Sequence, residues 1–450
     1  MNLKTVKNIY FLGIGGIGMS ALARYFNFEG KNVSGYDRTP SPLTDRLIEE
    51  GIDIHFTDSV ELIPNDIELI VFTPAIPKNH QEFQFLMKST TPMLKRSEVL
   101  GEISNDYFTI AVAGTHGKTT ITSMLAHILN HNKVAVNAFI GGIANNFASN
   151  LLLNKGANVM VVEADEFDRS FLTLHPNMAI ISSMDADHLD IYSNANFLRD
   201  SFFEFSNQIQ KQGCLISQQS LEVAPDFDGE IYKYSAQEQA DYYAENIVVE
   251  NGRTIFDLYK QQQKISSISL QLPGYHNVEN AIAASVACIK YGLTPEQVAD
   301  ALFHYKGVYR RFEFLIHTDS VVMIDDYAHH PTEIKACLQA ARSLFPKKKI
   351  TGVFQPHLYS RTRDFMDDFA KSLSQLDKLF LLDIYPAREL PIEGVDSAAL
   401  LKKVQIDDKY LCSKEELVNC IDADATEVLI MMGAGDIDRL LLDVKTKLLS

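Results

Sequence analysis

Short apolar runs alternate with amphipathic segments along most of the chain. The runs are rich in β-branched and aromatic residues and have the length of buried strands, whereas the segments between them repeat apolar residues at helical spacing. Strands that alternate with helices form parallel sheets with right-handed crossovers, so the pattern predicts an α/β fold. The predicted strands are 8–12, 33–36, 68–72, 107–112, 158–162, 178–182, 321–324, 349–354, 378–383 and 427–432.

The strand at 107–112 leads into the loop Gly114-Thr-His-Gly-Lys118-Thr-Thr and then into a predicted helix. Glycines let backbone N–H groups approach a phosphate, and the helix N-terminus adds positive potential. Lys118 would reach the terminal phosphates, and the Thr119 hydroxyl would bind Mg²⁺. The common pattern has glycine where this chain has Val112, so the loop is shorter than usual. We expect a nucleotide here; the alternative is a glycine turn with a solvated lysine.

A second glycine-rich turn, Gly13-Ile-Gly15-Gly16-Ile-Gly18, follows the first strand and fits G-x-G-x-x-G. Asp37 ends the next strand at the spacing of a ribose-binding carboxylate. This geometry specifies a diphosphate with a ribose, which a nicotinamide cofactor or a UDP-sugar supplies. Thr73 and Pro74 follow the strand at 68–72, where ligands of open α/β sheets bind. A glycine turn without a ligand is the alternative.

Two acidic clusters follow predicted strands of the central region. Glu163-Ala-Asp-Glu-Phe-Asp comes directly after the strand at 158–162, and Asp185-Ala-Asp-His188-Leu-Asp follows the strand at 178–182. Hard cations take carboxylate oxygens, so the clusters predict Mg²⁺ ligands beside the phosphate loop. The alternative for each cluster is a solvated acidic loop.

The chain's 450 residues are enough for about three domains. We predict an N-terminal Rossmann-like domain with a parallel sheet (1–106), a central ATP-binding α/β domain of phosphate-loop type (107–313) and a C-terminal Rossmann-like α/β domain (314–450). Between 213 and 272, short alternating strands with polar turns predict an antiparallel appendage on the central domain. Polar residues collect at the carboxyl ends of strands in all three domains, so we expect the site to lie between them.

Charge and composition exclude several classes of protein. The formal net charge of −17, without a basic stripe, argues against a nucleic-acid partner. No apolar run approaches the length of a membrane span, and the five cysteines form no C-x-x-C pair. We therefore expect a cytoplasmic protein without membrane insertion. The sequence does not give the oligomeric state, for which our expectation is a monomer or a weak homodimer.

The motifs resemble, in order and over the whole chain, those of the Mur ligases, the ATP-dependent amide-forming enzymes of peptidoglycan synthesis. Within the family, the branch that adds L-alanine to UDP-N-acetylmuramate is the most similar, and the branch that attaches recycled tripeptide to the same UDP-sugar is the nearest competitor. The family resemblance rests on Gly114–Thr120, Glu163-Ala-Asp-Glu, Asp187-His188, His276-Asn277 with Asn280, Arg310-Arg311-Phe312 and Asp325-Asp-Tyr-Ala-His-His-Pro. The branch assignment rests on Gly13–Ser20, Gln355-Pro-His, Arg361-Thr-Arg363 and Gly433-Ala-Gly-Asp.

The resemblance implies a ligase that joins L-alanine to the lactyl carboxylate of UDP-N-acetylmuramate through an acyl phosphate, with ATP and two Mg²⁺ ions. It implies catalytic roles for Lys118, Glu163 and His188, with Thr119 and Glu163 on one ion and His188 on the other. The implied ATP-binding residues are Gly114, Thr115, His116, Gly117, Lys118, Thr119, Thr120, His276, Asn277, Asn280, Arg310 and Arg311. The implied UDP-sugar residues are Gly13, Gly15, Gly16, Gly18, Asp37, Thr73 and Pro74. The implied amino-acid residues are Tyr327, His329, Arg361 and Arg363.

The chain departs from the family pattern at two places. Leu358 stands where some alanine-adding ligases have an arginine, so Arg361 or Arg363 must bind the amino-acid carboxylate from this loop. Several other Mur ligases use a carbamylated lysine beyond the position of His188, but this chain has Phe203 at that spacing. The second metal site would therefore lack that bridging ligand.

Two other classes of function remain open from the sequence. A nicotinamide-dependent dehydrogenase would use the first glycine turn but leave the phosphate loop and acidic clusters unexplained. A regulatory protein would bind ATP and a cell-wall precursor without turnover, and it would release no phosphate in the presence of alanine.

Overall fold

The computed structural model describes residues 2–185, 195–250, 252–387 and 389–450. Two compact units are present. The first comprises Met1–Tyr243, Lys260–Gln263 and Asn280–Leu302, and the second comprises Ala244–Tyr259, Lys264–Glu279 and Phe303–Ser450. Within the described ranges, every helix is too short or too polar to span a bilayer.

The N-terminal sheet has five strands in the order β3-β2-β1-β4-β5, and its neighbours are all parallel, which confirms the predicted Rossmann-like sheet. Central strand β1 is apolar on both faces because Phe11 packs in one core cluster while Tyr10 and Leu12 pack in another. The elements are β1 (Asn8–Leu12), α1 (Ile17–Phe28), β2 (Asn32–Tyr36), α2 (Pro42–Glu49), β3 (Asp53–His55), β4 (Leu69–Phe72), α3 (Gln81–Leu86), β5 (Met93–Lys95) and α4 (Arg96–Ser104).

The central region forms a mixed sheet. Its elements are β6 (Phe108–Ala113), α5 (Lys118–His131), β7 (Val136–Ala144), β8 (Ser149–Leu152), β9 (Val159–Glu163), β10 (Met178–Ile181), α6 (Ala195–Asn207), β11 (Cys214–Gln218), β12 (Glu230–Ser235), β13 (Tyr242–Glu250), β14 (Arg253–Lys260), β15 (Gln263–Leu270), α7 (Tyr275–Tyr291) and α8 (Pro295–Phe303). Strand β6 lies between β10 and β9 and is parallel to both. The phosphate loop and the two acidic clusters therefore start at the carboxyl ends of three neighbouring strands, β6, β9 and β10.

The predicted antiparallel appendage is wrong over its first part. Strand β11 pairs in parallel with β10, β12 pairs in parallel with β11, and the start of β13 pairs in parallel with β12. These strands continue the central parallel sheet instead of leaving it. The alternation of polar and apolar residues suggested antiparallel strands because β12 lies towards the margin of the parallel sheet. It exposes polar residues such as Glu230, as a half-solvated antiparallel strand would.

The C-terminal sheet has six strands in the order β16-β17-β21-β18-β19-β20. Only β16 and β17 are antiparallel among these neighbours, so the predicted Rossmann-like domain is confirmed. Strand β16 was not predicted. The elements are β16 (Glu313–His317), β17 (Val322–Asp326), α9 (Pro331–Leu344), β18 (Ile350–Phe354), α10 (Tyr359–Asp364), α11 (Met366–Leu373), β19 (Lys378–Leu381), α12 (Ser397–Lys403), β20 (Lys409–Leu411), α13 (Lys414–Cys420), β21 (Val428–Met432) and α14 (Leu441–Leu449).

Candidate nucleotide and substrate sites

The phosphate loop joins β6 to α5 through two glycines that have a positive φ. Gly117 (φ 83°) is the N-cap of α5, and Gly114 (φ 134°) leaves no room for a Cβ against Ser182 Oγ. Ser183 Oγ accepts from the His116 N–H at 2.8 Å and lies 2.9 Å from Thr115 Oγ1. The end of β10 therefore fixes the loop, and the two serines explain why the shorter glycine pattern still forms a defined turn.

Lys118 points back over this loop. Its Nζ donates to Gly114 O at 2.7 Å and lies 2.7 and 2.9 Å from the two carboxylate oxygens of Glu166. Burial alone would lower the pKa of Lys118, but Glu166, Asp165 and Glu163 outweigh it and raise that pKa. The lysine is thus held as a largely buried cation, with 14% of its side chain exposed, at the N-terminus of α5.

Thr119 and Glu163, the predicted ligands of one Mg²⁺ ion, are in direct contact. Thr119 Oγ1 donates to Glu163 Oε1 at 3.0 Å, and the Gly141 N–H donates to Glu163 Oε2 at 2.8 Å. Burial raises the pKa of Glu163, an effect that Lys118 and Gly141 oppose. A hydroxyl and a carboxylate side by side are hard oxygen donors, so this pair fits Mg²⁺.

His188, the predicted ligand of the second ion, lies outside the described residues. The first residue of its acidic cluster, Asp185, does lie at the phosphate loop. Its N–H donates to Thr115 Oγ1 at 3.1 Å, and its Oδ2 is 3.4 Å from His116 Nε2. The second acidic cluster therefore starts against the loop, as the strand order of the sheet requires.

Helix α7 carries the predicted His-Asn block. In the first unit, Asn280 Oδ1 lies 2.6 Å from the position that a Cβ on Gly117 would take, so Asn280 contacts the phosphate loop. In the second unit, Asn277 Nδ2 donates to Pro273 O at 2.7 Å, which fixes the start of the helix. Burial lowers the pKa of His276 to about 4 and Arg311 adds to that shift, so the imidazole is neutral at pH 7.

The N-terminal glycine turn contacts Asp37 and the loop that contains Thr73. A Cβ on Gly13 (φ 84°) would lie 2.7 Å from Thr73 Cγ2, and Pro74 follows directly. The Gly15 N–H donates to Asp37 Oδ2 at 2.7 Å. Asp37 therefore shapes the turn through Gly15. The structure brings the glycines, Asp37 and the Thr73 loop together at the N-terminus of α1, which no side chain of the described ranges caps.

The two predicted arginines of the second unit differ sharply. Arg310 is buried, and its guanidinium donates to Asp325 Oδ2 at 3.1 Å and to Gly433 O at 2.7 Å. Burial raises the pKa of Asp325 to about 7, although Arg310 opposes the shift. The Arg311 side chain is 32% exposed and lies 3.7 Å from Glu333. Arg310 thus ties strands together, and Arg311 is the arginine able to meet a ligand.

Tyr327 and His329 lie between β17 and α9. Helix α9 begins with Pro331 at its first turn, and Glu333 accepts from the His329 N–H at 3.0 Å. The guanidinium of Arg311 lies 5.2 Å from the Tyr327 ring centroid, and the His329 and His357 rings are 6.1 Å apart. The structure therefore gathers an aromatic and imidazole cluster at the carboxyl end of β17.

Arg361 and Arg363, the two candidate carboxylate-binding residues after β18, differ in burial. Arg361 is buried near the start of α10, whereas the Arg363 side chain is 54% exposed and its guanidinium lies 2.8 Å from Asp364. Leu358, at the departure from the family pattern, has φ 71°, which is strained for a leucine. Its N–H donates to the carbonyl of Tyr385 at 2.9 Å, so the loop after β19 supports this conformation.

Family models match three consecutive stretches of the chain. The Mur ligase family, catalytic domain model matches 8–108, the Mur ligase middle domain model matches 112–288, and the Mur ligase, glutamate ligase domain model matches 310–435. A curated UDP-N-acetylmuramate–L-alanine ligase from Flavobacterium psychrophilum is 50% identical over 100% of this chain and 99% of its own length.

The chain belongs to the Mur ligase family.

Solved Mur ligase structures share its architecture. A UDP-N-acetylmuramate–alanine ligase from Thermotoga maritima superposes with a TM-score of 0.83 and 28% identity, covering 99% of this chain and 98% of that one. A murein peptide ligase from Psychrobacter arcticus superposes with a TM-score of 0.73 and 23% identity over 98% of both chains, a likeness in fold.

Three polar residues near the sites of this Mur ligase, Glu166, Ser183 and Arg96, were not predicted from the sequence. Glu166 lies in the first acidic cluster, and Ser183 follows the predicted strand at 178–182. Arg96 starts α4, and its Cδ and Nη1 lie 2.9 and 3.1 Å from the position that a Cβ on Gly18 would take. Among the described residues, the Arg96 side chain has no hydrogen-bond or ion-pair partner. The available signal was the Lys-Arg pair at 95–96, which spans the end of β5 and the start of α4.

Proposed function

We propose that this Mur ligase joins L-alanine to the lactyl carboxylate of UDP-N-acetylmuramate, with conversion of ATP to ADP and phosphate, in peptidoglycan precursor synthesis. The observation that carries the proposal is the 50% identity, over the whole chain, to a UDP-N-acetylmuramate–L-alanine ligase. A nicotinamide-dependent dehydrogenase is excluded because the chain belongs to an ATP-dependent ligase family.

A carboxylate is a poor electrophile, so amide formation requires its activation. The lactyl carboxylate attacks the γ-phosphorus of ATP, the bond to the β-phosphate oxygen breaks, and ADP leaves. The alanine amine then attacks the acyl carbon, and phosphate departs with one of the original carboxylate oxygens. Lys118 stabilises the charge that develops on the transferred phosphoryl group.

Thr119 and Glu163 would hold one Mg²⁺ ion, and His188 is proposed for a second. Mg²⁺ supplies neutralisation of the phosphate charge and orientation of the phosphate oxygens. The oxygen donors at Thr119 and Glu163 support the first assignment. The number of ions and the oligomeric state, a monomer or a weak homodimer, stay predictions, as do the domain boundaries at 106 and 313.

Attachment of recycled tripeptide to the same UDP-sugar is less supported. The curated relatives similar over the full chain carry the L-alanine ligase name, and the alanine ligase from Thermotoga maritima superposes with a higher TM-score than the murein peptide ligase.

Isotope transfer tests the proposed reaction. With both lactyl carboxylate oxygens labelled with ¹⁸O, one label should appear in inorganic phosphate and one should remain in the amide of the UDP-N-acetylmuramoyl-L-alanine product. Formation of the product with unlabelled phosphate would contradict the acyl-phosphate route. Absence of any alanine-containing product would contradict the function itself.

Arg361→Lys should raise the KM for alanine strongly while changing the KM for ATP and for the UDP-sugar little. A guanidinium binds a carboxylate through two parallel hydrogen bonds, which a lysine cannot reproduce. Leu358 stands where some alanine-adding ligases have an arginine, so Arg361 should carry more of the task. Steady-state kinetics with Arg363→Lys as the matched control decides the point. An unchanged alanine KM in Arg361→Lys would assign the carboxylate to Arg363 or His329.

Arg96→Gln should weaken binding of UDP-N-acetylmuramate by about tenfold or more, because a charge-assisted contact to the diphosphate is lost. Uridine, which has no phosphate, should bind both forms equally. Titration calorimetry with both ligands measures this, and Lys88→Gln, an exposed cation of the same domain, is the control for net charge. Equal losses for uridine and the UDP-sugar would show that Arg96 only maintains the fold.

A further inference from the structure

Glu166 is a fully buried carboxylate to which the proposed reaction assigns no role. It lies against Lys118, the residue proposed to bind the β- and γ-phosphates of ATP, and both of its oxygens are within 2.9 Å of Nζ. Lys118 therefore has two possible anionic partners, the Glu166 carboxylate and the phosphates of ATP.

The position of Glu166 is built into the fold. It precedes a short 3₁₀ helix at Phe167–Thr173, in which Asp168 and Arg169 have φ of 52° and 54°. Lys95 forms an ion pair with Asp168 at 3.2 Å, and Thr173 Oγ1 donates to Ser97 O at 2.8 Å. The end of β5 and the start of α4 therefore anchor this strained segment, which positions the Glu166 carboxylate beside Lys118.

The negative charge around Lys118 explains why Glu166 and a phosphate would compete for it. The cation faces Glu166 directly, and Asp165 and Glu163 add to its negative surroundings. An unpaired buried ammonium would be costly, so an empty loop needs a counter-ion. A bound phosphate would provide a second counter-ion, and the two anions would then repel each other across Lys118.

We propose that Glu166 is a positioning residue that competes with the nucleotide for Lys118. It keeps the lysine directed into the loop when the site is empty, and it yields this contact to the phosphates when ATP binds. Nucleotide binding thus exchanges one ion pair for another, and Glu166 lowers the affinity for ATP. The inference rests on the proposed ATP site and adds an internal competitor to it.

Glu166→Gln keeps the size and hydrogen-bonding capacity of the side chain and removes its charge. The Kd for the non-hydrolysable analogue AMP-PNP with Mg²⁺ should fall by about tenfold, since a neutral acceptor competes for Lys118 more weakly than a carboxylate. Adenosine, which lacks phosphates, should bind both proteins equally. Glu102→Gln, an exposed position on α4, is the control for the same change of net charge. Calorimetry with the two ligands gives the four comparisons.

A merely structural role predicts the opposite sign, because a damaged loop binds nucleotide more weakly. The empty Glu166→Gln protein should melt below the wild type, and AMP-PNP should raise its Tm more than it raises that of the wild type. Unchanged or weaker AMP-PNP binding by the folded variant would overturn the proposal. Failure of the wild type to bind AMP-PNP would overturn the ATP site itself. If Glu166→Gln does not fold, Glu166→Asp, whose shorter side chain cannot keep both contacts, should bind AMP-PNP more tightly than the wild type, and unchanged binding would again overturn the proposal.

Discussion

Lys118→Ala should lower the turnover of the ligase by about 100-fold or more, as expected for loss of a main stabiliser of transferred phosphoryl charge. The chain should still fold, but with a lower free energy of unfolding. Removal of Lys118 leaves the buried Glu166 carboxylate without the cation that contacts both of its oxygens, and breaking a buried ion pair costs about 3 kcal/mol or more. Turnover by phosphate release and stability by urea unfolding measure the two effects.

Two further variants separate catalysis from stability in this experiment. The double variant Lys118→Ala/Glu166→Gln should recover part of the lost stability but none of the lost turnover. Lys155→Ala, an exposed lysine of the same unit, should leave both unchanged. Near-normal turnover in Lys118→Ala would show that the loop at 114–120 is not the ATP site.

Gly15→Val should abolish binding of UDP-N-acetylmuramate while ATP binding stays largely intact. A Cβ on Gly15 would lie 2.8 Å from Thr44 Cγ2 and 2.9 Å from Asp37 Oδ2, so the turn must move. That movement breaks the hydrogen bond from the Gly15 N–H to Asp37, which holds the loop in shape at the N-terminus of α1. The phosphate loop follows a strand of a different sheet and should keep its geometry.

The matched control for Gly15→Val is Gly30→Ala, just beyond the other end of α1. Gly30 has no heavy atom within 4 Å of the added Cβ, but its φ of 76° makes alanine strained there. Gly30→Ala should therefore reduce stability and leave affinity for the UDP-sugar unchanged. Calorimetric titration of both ligands decides the assignment. Loss of ATP affinity with normal UDP-sugar affinity in Gly15→Val would mean that the two nucleotide sites have been exchanged.

The sheets were predictable because each central strand is buried on both faces and is therefore an unbroken apolar run. Strand β1 has the predicted bounds, Asn8–Leu12. The strands at the sheet margins were harder, since partial exposure makes a parallel strand resemble an antiparallel one. Strand β16 was not predicted because it directly follows Arg310, Arg311 and Phe312. That stretch was interpreted as a binding motif and not as the approach to a strand.

The candidate site was predictable where function depends on local spacing. Lys118, Thr119 and the glycines lie in short motifs, and the strand order brings Glu163 to Thr119. Long-range partners were not predictable from spacing. Nothing local in the sequence shows that Arg310 donates to Gly433, more than a hundred residues away, or that Arg96 approaches Gly18. The departure at Leu358 was visible in the sequence, but its left-handed backbone became visible only in the structure.

Phosphate release from ATP, measured with each other substrate omitted in turn, tests the proposed reaction. We expect release that requires UDP-N-acetylmuramate and L-alanine together, is lost when either is absent, and is matched mole for mole by the alanine-containing product. Sustained release with tripeptide but not with L-alanine would instead identify the recycling ligase. Binding of ATP and UDP-N-acetylmuramate without alanine-dependent release would contradict enzymatic function altogether.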